Sequence, residues 1–141
     1  MPDNYNLKRF IEAQRTDYAM ALSEIKRGRK QSHYMWYIFP QILGLGFSST
    51  SKYYAIKNID EATAYLKNEI LGNRLIEICN ALLMLETNNA HVIFGSPDNM
   101  KLISSMTLFS EVNDASSVFQ KVLDKFFDGK KDDRTLQLLK N

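Results

Sequence analysis

The residues of this sequence best suited to bind a ligand are polar side chains that interrupt apolar patterns. Gln14 is the first of them, because it stands one turn after Phe10 and one turn before Tyr18 on the apolar face of a helical repeat. A buried amide lowers stability unless its donors and acceptor are paired. Two interpretations follow: Gln14 pairs with backbone groups across the core, or it lines a polar pocket.

An aromatic segment after the first helix contains three further candidates. Residues 28–41 place aromatic side chains on every side, so they cannot form one amphipathic helix, and a flexible run rich in glycine and hydroxyl residues follows. A ligand pocket needs apolar walls with a few polar groups, which His33, Trp36 and Gln41 could supply. The alternative is that these aromatics are ordinary core. The glycine-rich run lacks the lysine of a P-loop and the spacing of a dinucleotide fingerprint.

A helix start with a nearby cation is the third feature. Ser96, Pro97 and Asp98 are typical of a first helical turn, whose free backbone amides favour an anion. Lys101 and Ser105 follow Asp98 on the same stripe of the helix. The alternative here is ordinary capping beside a solvated edge.

Two basic residues at the end of the first helix could add to such a site. Arg27 and Lys30 belong to a short cluster of cations that would form a phosphate-binding rim if it faced the pocket. The alternative is a solvated helix end, where cations are favourable.

Composition excludes several other chemistries. Two histidines (His33 and His91) and one cysteine (Cys79) rule out a histidine-rich zinc site, a multi-cysteine metal site and an internal disulfide, so we expect no metal and no cofactor. A formal charge of +2 gives no field that favours nucleic acid. With no signal segment and no membrane-spanning window, we expect a cytoplasmic protein without a membrane partner.

The elements that must position these residues are mostly helices, as the spacing of the apolar residues indicates. Apolar residues three and four apart predict a compact, all-α, single domain over residues 1–141, with about five or six helices and an irregular aromatic and glycine-rich segment after the first helix. Only Ala90–Phe94 favours an extended conformation, and it has no second strand to pair with.

Several strings resemble one bacterial family over nearly the whole chain. They include Gly28-Arg-Lys-Gln-Ser-His33, Met35-Trp-Tyr-Ile-Phe-Pro-Gln41 and Ser104-Ser-Met-Thr-Leu-Phe109. On these strings the chain is identified as a member of the domain-of-unknown-function family eighteen-ten. The resemblance implies a mainly helical fold and no established activity. Residues Phe10-Ile-Glu-Ala-Gln14 are also similar to NADAR proteins, which remove ADP-ribose or a related sugar from a base.

Three functional hypotheses remain open at this point. The leading one is a pocket for a small anionic, nucleotide-like ligand, formed by the candidate residues already named. The enzyme alternative is an N-glycoside hydrolase acting on an ADP-ribosyl or nucleotide-like substrate, with His33 as the candidate proton donor. The third is a non-catalytic interaction module that docks through exposed aromatics between Tyr34 and Phe39. The oligomeric state is left open.

Overall fold

The computed structural model describes residues 5–32 and 34–140, which form nine α-helices and no named strand. An all-α fold is therefore confirmed, whereas the predicted number of five or six helices is wrong. The helices are α1 (Lys8–Lys26), α2 (Met35–Ile38), α3 (Ser49–Tyr53), α4 (Ile59–Lys67), α5 (Glu69–Leu83), α6 (Ala90–Phe94), α7 (Asp98–Ser110), α8 (Val118–Phe127) and α9 (Asp133–Lys140). None of the helices in this part of the chain is long and apolar enough to cross a membrane.

The three helices that periodicity missed are each about one turn long. Four or five residues are too few to show a repeat of 3.6, so helices α2, α3 and α6 leave no pattern in the sequence. Side-chain caps hold two of them: Ser48 accepts from the Ser51 amide, and Asn89 accepts from the amides of His91 and Val92. The extended conformation predicted for Ala90–Phe94 is wrong because the Asn89 cap begins a helix there.

The long helices share one hydrophobic core that is crossed by a ladder of aromatic rings. Phe10 of α1 meets Tyr65 of α4 at 5.1 Å between ring centroids, and Tyr65 meets Phe109 of α7 at 5.2 Å. Phe109 in turn lies 5.7 Å from Phe119 of α8. All four side chains are fully buried, so four helices are packed through one continuous aromatic contact.

The irregular segment is held by backbone pairing as well as by its short helices. Ile42 and Ile56 form an isolated parallel bridge, in which the Leu43 amide donates to the Ile56 carbonyl and the Ile56 amide donates to the Gln41 carbonyl, both at 2.8 Å. This bridge closes the glycine-rich loop that contains α3.

A buried ion pair joins α1, the end of the irregular segment and α4. Arg9 contacts Glu61 at 2.6 Å, and both side chains are almost completely buried. The Glu61 carboxylate also accepts from the Lys57 amide at 3.1 Å. The remaining guanidinium donors all bond to backbone carbonyls, those of Tyr5, Asn6, Tyr53 and Ala55.

Helices α4 and α5 are in close contact at a glycine. A Cβ atom added to Gly72 would lie 2.1 Å from the backbone oxygen of Leu66. Because the atom in contact belongs to the backbone, it cannot move aside as the end of a flexible side chain can, so this position requires glycine.

The buried pair leads to a stability prediction. Glu61→Gln leaves the Arg9 cation without its counter-charge, which should lower the free energy of unfolding by about 3 kcal/mol in urea denaturation. The matched control is Glu111→Gln, which removes an exposed partner of Lys131 and should cost at most about 1 kcal/mol. Equal losses in the two variants would contradict the structural role of the Arg9 pair.

The glycine contact gives a second prediction. Gly72→Ala should destabilise the protein by several kcal/mol in the same assay, because α4 and α5 must separate, although alanine is the better helix former. Asn73→Ala on the exposed face of α5 is the control and should be neutral or stabilising. A stabilised Gly72→Ala variant would show that the two helices separate freely.

Candidate functional site

The charged centre of the candidate site consists of two lysines that share one carboxylate. Lys30 lies 2.8 Å and Lys101 3.1 Å from the two carboxylate oxygens of Asp98. The Lys30 side chain is 6% exposed, whereas those of Asp98 and Lys101 are 19% and 20% exposed. Two ammonium groups therefore share one carboxylate in a largely buried setting.

Both ammonium groups also contact aromatic rings from the segment around α2. The Lys101 ammonium lies 3.8 Å from the Trp36 ring centroid, and the Lys30 ammonium lies 4.8 Å from that of Tyr34. These distances are within the range of cation–π attraction. The structure thus brings Lys30, Trp36, Asp98 and Lys101 together, although they come from distant parts of the chain.

The position of Lys30 is set by Glu24, a buried carboxylate that sequence reasoning missed. Glu24 accepts hydrogen bonds from the Gln31 amide at 2.7 Å, the Ser32 amide at 3.1 Å and the Ser32 hydroxyl at 2.7 Å. The Lys30 amide donates to the Ile93 carbonyl at 2.7 Å. The turn that carries Lys30 is therefore anchored to both α1 and α6.

Both carboxylates are held in the charged form. Burial raises the pKa of Glu24, but the hydrogen bonds from Gln31 and Ser32 outweigh it, so this pKa lies below its ordinary value. Burial likewise raises the pKa of Asp98, and the hydrogen bonds and charges of Lys30 and Lys101 bring it below the ordinary value. The site is therefore ionised at neutral pH.

Buried oxygens near this centre have hydrogen-bonding capacity to spare. The Tyr34 hydroxyl is fully buried and faces the Glu24 carboxylate. Burial raises the pKa of this phenol, and the charges of Glu24 and Asp98 raise it further. The Ser105 hydroxyl, one turn after Lys101 on α7, is also buried and unpartnered. Buried polar atoms usually have partners, so the Ser105 hydroxyl is a candidate for ligand contact.

The start of α7 offers fewer free amides than the sequence indicated. The amides of Asn99, Met100 and Lys101 already donate to the carbonyl oxygens of Gly95 and Pro97. The expectation that several free amides there would attract an anion is therefore wrong. Any attraction for an anion at this helix start comes mainly from the lysine side chains.

Gln41 and Trp36 line a small enclosed cavity next to the charged centre. Its volume is about 10 Å³, which admits a single water molecule. Gly46 is required there, since a Cβ atom on it would lie 2.6 Å from the Ser51 hydroxyl. A larger ligand would therefore have to lie on the half-exposed surface of Trp36 rather than inside this cavity.

Gln14 makes its hydrogen bonds inside the core. Its amide nitrogen donates to the Tyr37 carbonyl at 2.7 Å and to the Tyr65 hydroxyl at 3.1 Å, and its oxygen accepts from Arg74 at 3.4 Å. This is the first of the two interpretations that the sequence allowed, namely pairing with backbone across the core.

A further candidate, Arg27, does not join the cluster in the structure. Arg27 is exposed at the end of α1 and has no ion pair within the described ranges. His33 lies outside the described residues. No group of three His, Cys, Asp or Glu side chains within 5–32 and 34–140 could hold a metal ion.

The prediction of an exposed aromatic docking surface between Tyr34 and Phe39 is wrong. Tyr34, Met35, Ile38 and Phe39 are all buried, and Phe39 packs edge-on against Phe94 with ring centroids 5.8 Å apart. Only Trp36 and Tyr37 of this stretch retain partial exposure. The aromatics are therefore core rather than an exposed patch.

Comparison with known proteins identifies the class of protein. The chain belongs to the family described as "Protein of unknown function (DUF1810)", whose model matches residues 4–139, so the resemblance found in its motifs is confirmed. It is similar to the crystal structure of the conserved hypothetical protein Rv1873 from Mycobacterium tuberculosis, with a TM-score of 0.96, 42% sequence identity and 99% of each chain covered. No curated protein matches the chain in sequence. Neither finding supports the likeness of α1 to NADAR proteins.

The lowered pKa of Glu24 leads to a prediction about pH. The ionised carboxylate stabilises the fold above its unfolded pKa of about 4.3 and loses that contribution as pH falls through the lower folded pKa. Glu24→Gln should therefore lower the free energy of unfolding at neutral pH by about 1.5 kcal/mol. The difference from the unmodified protein should shrink on acidification.

The control for this experiment is Glu12→Gln on the exposed side of the same helix. It should change stability by less than about 0.5 kcal/mol at any pH. A loss in Glu24→Gln that stays constant down to pH values well below both pKa values would contradict the assignment.

Proposed function

We propose that the cluster of Lys30, Trp36, Asp98 and Lys101 binds a small anionic ligand with a planar ring, of the nucleotide class. The single observation that supports this most is the position of the Lys101 ammonium, which lies on the Trp36 ring and shares its counter-ion with Lys30. A cation and an indole face at one partly exposed place match the two chemical parts of such a ligand.

The anionic part of the ligand would contact the two ammonium groups. Asp98 neutralises only one of them, so a phosphate oxygen could bond to Lys101 while Lys30 remains paired. Charge-assisted hydrogen bonds of this kind are among the strongest in proteins. Since Lys101 is more exposed than Lys30, it is the first group that an incoming anion would meet.

The ring of the ligand would lie on the exposed part of Trp36. Gln41 lines the same side of the site and could bond to a polar edge of a base. Ser105 would add a buried hydroxyl without a present partner. Gln14 and Arg27 are not needed in this arrangement.

The hydrolase alternative has no separate observation in its favour within the described residues. Its candidate proton donor, His33, lies outside the described residues, so the hydrolase activity stays a prediction. Release of free base from a nucleotide by the purified protein, and its loss in His33→Ala, would support it.

Calorimetric titration tests the binding proposal. We expect nucleoside mono- or diphosphates to bind more tightly than the matching nucleoside or inorganic phosphate. Lys101→Met should weaken nucleotide binding about tenfold through the lost charged hydrogen bond, and Trp36→Leu should weaken nucleoside binding through the lost stacking surface.

The matched control is Lys121→Met, which removes an exposed lysine from α8 without touching the cluster. It should bind as the unmodified protein does. No binding of any nucleotide by the unmodified chain, or equal binding by Lys101→Met, would refute the proposal.

A further inference from the structure

A separate groove lies between α4, α5 and the segment 111–116 that joins α7 to α8. Its volume is about 850 Å³, and it shares no residue with the lysine and tryptophan cluster. Ile59, Thr63 and Leu66 follow one another at helical spacing on α4 and form one wall. Ile76 of α5 contributes apolar surface to the groove, and the fully buried Phe119 of α8 lies beneath it.

The charges of the groove are mostly negative. Asp60 stands on the α4 wall and Asp114 on the opposite segment, and neither has an ion pair in the part of the chain that the structure describes. Glu111 is already paired with Lys131 at 2.5 Å. Lys67 is the single lysine among the residues that line the groove. The groove therefore presents apolar surface with a carboxylate on each side.

The segment opposite α4 is shaped by its own hydrogen bonds. The Ala115 amide donates to the Val112 carbonyl at 3.2 Å, and the Ser116 hydroxyl accepts from the Val118 amide at 3.2 Å. Asp114 adopts a left-handed conformation with φ of 62°, which aspartate tolerates better than most residues. A wall formed in advance reduces the ordering cost of binding.

We propose that this groove binds a basic amphipathic peptide segment of a partner protein. Apolar side chains of the segment pack against Leu66 and Ile76, and its lysine or arginine residues meet Asp60 and Asp114 across the groove. The charge pattern favours this occupant, because a ligand of this groove must place an apolar part between the walls and a cationic group near each of the two aspartates. The open side of the groove allows the partner's peptide to enter and leave it as an extended or helical segment.

Selection from a random-peptide display library tests the proposal. The full chain serves as bait, and Ala115→Trp serves for counter-selection because its larger side chain fills the groove. Circular dichroism checks that this variant is folded. We expect the enriched peptides to combine apolar residues with an excess of lysine and arginine; no enrichment, or enrichment of acidic peptides, would overturn the proposal.

Titration of an enriched peptide then tests the two carboxylates by substitutions that preserve shape. Asp60→Asn and Asp114→Asn should each weaken binding about threefold at low salt, and less at high salt. Asparagine also tolerates the left-handed conformation at position 114. The matched control, Glu86→Gln, removes an exposed charge outside the groove and should leave binding unchanged.

Two results of these measurements would overturn the assignment. One is equal binding by the aspartate variants and the unmodified chain. The other is a dimer of the unmodified chain in sedimentation that Ala115→Trp abolishes, since the groove would then accept a second copy of this chain.

Discussion

The polar side chains of α1 support an irregular segment that has no regular hydrogen-bond ladder of its own. The described residues of segment 31–55 contain only two one-turn helices and half of an isolated bridge, so many of their backbone groups need partners elsewhere. Four charged or amide side chains of α1 hydrogen-bond to this segment along its length. Glu24 accepts from residues 31 and 32, Gln14 donates to the Tyr37 carbonyl, Asp17 accepts from the Tyr37 hydroxyl, and Arg9 donates to the carbonyls of residues 53 and 55. The position of Trp36 and of the turn bearing Lys30 depends on these contacts.

The same contacts explain which parts of the fold and the site could be predicted. Apolar periodicity suffices for the long helices because it reports the face of each that is buried. Gln14 is recognisable as unusual because it is neutral and stands within the apolar stripe. Arg9 and Glu24 are not, since charged residues on a helix are normally solvated, and only tertiary packing shows that these two are buried. Lys30 and Asp98 could each be suspected, but the packing of α6 and α7 decides that they meet.

The distribution of charge also differs from what the near-neutral total suggests. A formal charge of +2 is too small to indicate a partner. Locally, however, an ammonium group that shares its counter-ion with a second lysine lies on an indole ring at one place, and two carboxylates without an ion pair in the described residues face an apolar groove at another. Electrostatic recognition by this protein is therefore a property of particular surfaces, which a sum over the chain conceals.

The aromatic ladder from Phe10 to Phe119 has a consequence for how the chain folds. Each of its first two steps joins residues that are far apart in sequence, and the ladder as a whole connects the first long helix with the last but one. Such contacts require large loops to close before they stabilise anything, which slows folding relative to a simple helical bundle. Neither half of the chain contains the complete ladder. The helices are thus local in their hydrogen bonds, but we expect them to unfold together in one transition because the core that they share is non-local.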